Sequence, residues 1–102
     1  GTEWVKVGDF SGSQSLDWPG LPETGYDTPA QAQAAMASIV AAKKTEIFRS
    51  LQASYPSNPA HVVQMNSWDV DYVTRPHVNG NNKWYVARIT INYTYSVYKK
   101  EE

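Results

Sequence analysis

Asp69 and Asp71 stand two positions apart, and in an extended chain that spacing puts both carboxylates on one face of a strand. Paired carboxylates can move protons or hold a metal ion. With Asn79-Gly80 as a two-residue turn, however, Asp71 falls opposite Arg88. A cross-strand surface ion pair, contributing about 0–1 kcal/mol, is then the simpler expectation. His61 and His77 are 16 positions apart on either side of the same apolar stretch. Along a strand that is roughly 50 Å, so one metal cannot take both within a subunit. Each histidine is expected at an exposed loop beside a proline-containing turn. Ser11, Ser13 and Ser15 lack the Gly-x-Ser-x-Gly elbow of a nucleophile, and Gly8, Gly12, Gly20 and Gly25 match no phosphate-loop spacing. No catalytic, metal or cofactor site is expected.

The remaining candidates are binding residues. Arg75, Trp84 and Arg88, with Lys83 at the turn, interleave basic and aromatic groups as single-stranded nucleic-acid platforms do. A formal net charge of -1 argues against that use, because phosphate binding needs several positive contacts. Arg75 opposite Trp84 is equally a surface cation–π pair. Trp84, Val73, Val86 and Tyr98, with Thr90 and Thr94 between them, form a half-apolar face of the kind that anchors protein contacts. The candidate binding set is therefore Trp84, Arg88, Arg75, Tyr98 and Trp18.

The elements that must carry these residues follow from periodicity. Residues 3–10 alternate as a first strand, with Gly8 marking a bend or bulge. Residues 11–27 are rich in Gly, Pro and Ser and are expected to form a loop, the alternative being a short second strand near Gln14 to Trp18 hairpinned on Ser11-Gly12-Ser13. Its Leu16, Trp18, Leu21 and Tyr26 suit a segment packed back onto the body, over the open sheet face. A helix is expected over 29–54. Thr28 caps it, Pro29 opens it, and Gln31 completes a capping box. Seven of the thirteen residues from Ala30 to Ala42 are alanine. Met36, Ile39, Val40, Ile47, Phe48 and Leu51 then make one apolar stripe. Tyr55-Pro56 stops it.

Residues 61–78 and 83–98 read as a hairpin closed by Asn79-Gly80-Asn81-Asn82. In its second strand Tyr85, Ala87, Ile89, Ile91, Tyr93, Tyr95 and Val97 share one face, and the other face is mostly polar. In the first strand the apolar phase changes between Val63-Met65 and Trp68-Val70-Tyr72. One extra residue near Asn66-Ser67, a β-bulge, repairs it. Strand, helix, strand, strand in that order gives an α+β domain spanning 1–102. It is a split βαβ unit with sheet order 1-3-2 and one helix layer on one sheet face. The final Lys99-Lys100-Glu101-Glu102 reads as a solvated tail. In topology this arrangement resembles the cystatin-like one. The Gln-x-Val-x-Gly inhibitory loop of that family is absent, so the resemblance implies no functional residue here.

Composition bounds the rest. A chain of 102 residues is one domain, large enough to bury a core without metal or disulfide. Having no cysteine excludes thiolate chemistry. No apolar run approaches the roughly 20 residues of a membrane span. Few charges, many Tyr, Thr, Asn and Ser, and an opening Gly1-Thr2-Glu3 without Met suggest a processed, exported bacterial protein, whether periplasmic, lipoprotein-anchored or secreted. The expected function is a small non-enzymatic interaction domain. It would use the open sheet face or the 11–27 segment to bind a protein partner or a second copy of itself. The alternatives are a ligand-binding or catalytic cleft between that segment and the sheet, and a nucleic-acid platform.

Overall fold

The computed structural model describes residues 3–16, 26–80 and 82–101, and for 75, 77, 79, 82–84 and 86 it describes the backbone alone. The elements are β1 (Glu3–Leu16), α1 (Pro29–Ala53), β2 (His61–Asn79) and β3 (Asn82–Glu101). They form an α+β fold with a three-stranded sheet in the order β1-β3-β2. Both outer strands run antiparallel to β3 and therefore parallel to each other. Twenty residues at roughly 3.3 Å each make β3 long, and the molecule measures 68 × 18 × 15 Å.

The helix begins where its capping chemistry puts it. Thr28 Oγ1 accepts the Gln31 amide at 3.2 Å. The Gln31 side chain in turn accepts the backbone N–H of Asp27, one position before the cap, at 3.0 Å. At the far end the Ser54 hydroxyl donates to Leu51 O at 2.7 Å. Thr28→Ala strips the first turn of its acceptor and is expected to destabilise by about 0.5–2 kcal/mol. Thermal denaturation should show a Tm lowered by several degrees.

Ala32, Met36, Val40 and Ile47 of α1 are buried against Ala87, Ile89 and Ile91 of β3. Ala32 is 0% exposed and Ala87 2%, so the alanine-rich half lies tight on the sheet as its small side chains permit. Phe48, expected within the apolar stripe, is 38% exposed. The helix packs along β2 and β3 and leaves β1 beside it. Near its end the Gln52 amide reads the outer edge of β2 like a missing strand. It donates to His61 O at 2.7 Å and accepts from Val63 N at 2.9 Å.

The phase change in β2 is resolved by the expected bulge, with Asn66 as the unpaired residue between Met65 and Ser67. A second bulge falls in β1 at Val7, between Lys6 and Gly8. Four expectations are corrected. The first part of the 11–27 loop is strand, since β1 continues to Leu16 by pairing with β3 as far as Ile89. The remaining positions of that loop, 17–25, lie outside the described residues, as does the proposed cover over the open face. The hairpin turns between paired Asn79 and Asn82, with Gly80 at φ 63°. That shift sets Asp71 opposite Thr90 rather than Arg88, and sets Arg75 opposite Val86 rather than Trp84. The faces are unchanged, because a shift of two keeps alternation. The third correction concerns Lys99–Glu101, which are strand. They pair with Glu3–Val5, and Lys100 N donates to Ala60 O at 2.9 Å. Finally, both histidines lie within β2, His61 at its first residue and His77 towards the turn.

Candidate interaction face

One face of the sheet lies under the helix, and the other carries successive rows of small polar side chains. Reading across β1, β3 and β2, the rows are Ser11–Thr94–Ser67, Ser13–Asn92–Asp69 and Ser15–Thr90–Asp71. Period-2 alternation puts every member of a row on the same side. Neighbours bond directly: Ser67 and Thr94 hydroxyls lie 2.6 Å apart, and Ser15 and Thr90 hydroxyls 3.2 Å apart. Between them is a shallow depression of about 440 Å³, lined by Ser13, Ser67, Asp69, Asn92 and Thr94 among others. Asp69 and Asp71 are therefore exposed members of a hydroxyl-rich plane. Among the described residues no group of three acidic, histidine or cysteine side chains is placed to hold a metal.

The two bulges frame the one buried polar residue of the described core, Ser96. Asn66 Nδ2 donates to Ser96 Oγ at 2.8 Å, and Ser96 Oγ donates to Asp9 Oδ1 at 2.5 Å. The relay ties all three strands together. Lys6 Nζ stands 3.3 Å from the same Asp9 oxygen. The Ser96 hydroxyl and then Lys6 hold the Asp9 carboxyl below its ordinary value of 3.8. A lowered carboxylate pKa adds stability above the unfolded value, and that stability is lost as pH falls through the folded one. Because Asp9 is exposed, solvent screens the effect. Thermal melts from neutral to strongly acidic pH check it. The stability advantage of the native chain over Asp9→Asn should shrink below about pH 4, and a constant difference would contradict the relay.

Beyond Ser96 the same face carries aromatic and apolar side chains beside two lysines. Lys6, Tyr98 and Val62 form one row across β1, β3 and β2, and Trp4 lies in the next, beside Lys100. Lys6 Nζ sits 6.0 Å from the Tyr98 ring centre, at the outer limit of a cation–π contact. Trp4 is 48% exposed and Val62 42%.

Of the residues expected to bind, the two whose side chains are described, Arg88 and Tyr98, lie well apart along β3. Arg88 is exposed opposite Val73. Arg75 and Trp84 occupy the next positions of the same face towards the turn, where only their backbone is described. Tyr98 stands ten residues along β3 from Arg88, roughly 33 Å away. Trp18 lies outside the described residues. His61 is a turn anchor. Its Nδ1–H donates to Pro59 O at 2.8 Å and lies 3.0 Å from Pro56 O, and its ring stacks on Tyr55 at 5.7 Å. Sequence reasoning missed the grouping of Trp4, Lys6, Val62 and Tyr98, which needs the register of both outer strands. It also missed the Ser96 relay, although Gly8 and Asn66-Ser67 had marked both bulges.

Compared with models of protein families, with curated proteins and with solved structures, the chain matches none of them.

Proposed function

We propose that this chain is a non-enzymatic interaction domain that meets a protein partner through the open face of its sheet. The one-sided architecture carries the reading. Helix α1 covers one face, and among the described residues nothing covers the other, which has a hydroxyl-rich centre and an end where Trp4, Val62 and Tyr98 gather. Aromatic anchors beside polar, hydrogen-bonding surface are the usual make-up of a protein contact. A photo-reactive phenylalanine analogue at Tyr98, and another at the exposed helix residue Ala37, test it in extracts of the native host. The expected result is a defined adduct at the sheet position that Val62→Glu abolishes, with no such adduct at the helix. Equal labelling at both positions, or none at Tyr98, would overturn the reading.

The composition supports an exported setting, periplasmic, lipoprotein-anchored or secreted, and fractionation of the native host tests it. A purely cytoplasmic pool would refute it. Among the described residues no helix is long and apolar enough to cross a membrane.

A further inference from the structure

The orientation of the backbone in β1 can be followed from the paired strand. Tyr85 N–H donates to Tyr26 O at 2.8 Å, on the side of β3 that faces β1. Lys100 N–H points the other way, to Ala60 O, in line with β2. The alternation along β3 is unbroken, because both register shifts fall in the outer strands. Odd-numbered residues of β3 therefore bond towards β1, and their partners are Phe10, Gly12, Gln14 and Leu16. It follows that Ser11, Ser13 and Ser15 direct their N–H and C=O groups outward, along the free edge of the sheet. Among the described residues no strand pairs with that edge.

The edge lacks the devices that usually discourage pairing. From Phe10 to Leu16 it has no charge, no proline and no bulge. It is also nearly symmetric about Ser13. Laid antiparallel against itself there, Ser11 meets the partner's Ser15, and Gly12 meets the partner's Gln14, so the long side chain lies beside a missing one. Phe10 meets the partner's Leu16. Phe10 is 40% exposed, stacks on Tyr95 with ring centres 5.5 Å apart, and lies on the helix side where α1 does not cover β1. Tyr95 is its neighbour on the β3 side, and the partner's Leu16 would give it an apolar neighbour on the outer side as well.

We propose that two copies of this chain pair antiparallel through the β1 edge from Phe10 to Leu16, centred on Ser13, to make one six-stranded sheet. The outward groups of Ser11, Ser13 and Ser15 supply the hydrogen bonds, as in strand addition. A two-fold axis normal to the sheet puts both helices on one side and joins the two hydroxyl-rich faces on the other. The inference rests on reading the chain as an interaction domain and names its partner. It uses an edge, whereas the preceding test uses Val62 and Tyr98, so either can fail alone.

Sedimentation of the full chain over a concentration series tests it. The native chain is expected to shift from monomer to dimer. Ser13→Pro removes a central outward N–H without touching the β1–β3 bonds, and should leave a folded monomer by circular dichroism. Ser11→Lys with Ser15→Lys sets like charges opposite each other across the pair and should give a monomer as well. Ser11→Lys with Ser15→Glu sets opposite charges there and should restore the dimer. If Ser13→Pro does not fold, the two charge variants still decide. A native chain that stays monomeric, because the 17–25 segment or nothing fills the edge, overturns the proposal. So does a dimer indifferent to the two charge patterns.

Discussion

Ile91→Ala is expected to destabilise the protein by about 2–5 kcal/mol. Ile91 is 0% exposed and sits at the middle of the central strand, between Gln14 on β1 and Val70 on β2. It belongs to the cluster that Ala32, Met36, Val40 and Ile47 cover from above. Removing three carbons from such a site forfeits their transfer energy and leaves a cavity that β3, fixed on both sides, cannot collapse into. Domains of this size are stable by only about 5–15 kcal/mol, so a large share of the total is at stake. Chemical denaturation should show a lower midpoint at an unchanged slope, and Tm should fall by roughly 10–30 °C. Phe48→Ala is the control, since Phe48 is 38% exposed. It should lose well under half as much. Similar losses for both would mean that burial does not rank these positions.

Gly12→Val pits two effects against each other. Valine has the better strand propensity, a difference within about 1 kcal/mol. Against it stands the Tyr93 ring, which lies where a Cβ on Gly12 would project. Tyr93 is not free to leave at no cost. Its ring centre is 5.7 Å from that of Trp68 and 6.1 Å from that of Tyr95, within an aromatic row that ends on Phe10. Displacing it should cost about 1–3 kcal/mol, so the steric effect wins. Denaturation is expected to show net destabilisation, with a changed near-ultraviolet circular dichroism from the tyrosines and Trp68. In a Tyr93→Ala background the valine should be neutral or favourable, which a double-mutant cycle reads as coupling between the two sites. A Gly12→Val chain more stable than the native one would refute the argument.

The helix was legible because its start and stop are written in local chemistry, Thr28-Pro29-x-Gln31 at one end and Tyr55-Pro56 at the other. The bulge at Asn66 was legible because a change of phase along β2 admits few other repairs. Residues 11–16 were not, because Ser-Gly-Ser-Gln-Ser has little strand preference of its own. They are strand because β3 offers a ladder and Tyr93 covers Gly12, a tertiary effect that overrides propensity. The pairing was read with a shift of two because Asn-Gly and Gly-Asn are equally good turn formers, and the pairing of Asn79 with Asn82 distinguishes them. Lys99–Glu101 looked like solvated charge until both flanking strands were in place. The Ser96 relay joins Asp9 to a residue 87 positions away, beyond any local pattern. The face was therefore legible from the alternation of β3, but its grouping into a hydroxyl-rich centre and an end where Trp4, Val62 and Tyr98 gather was not.

Pro76 lies opposite Tyr85, whose N–H points away from β2. The proline nitrogen therefore falls on the outer side of β2, where a further strand would need a donor. Gln52 occupies the other end of the same edge, at His61 and Val63. The sheet thus has one edge suited to accepting a strand and one obstructed at both ends. An assembly nucleated on β1 consumes its single competent edge in the first contact. Its stoichiometry stops at two, and the protein is expected to form a closed pair rather than a growing fibre.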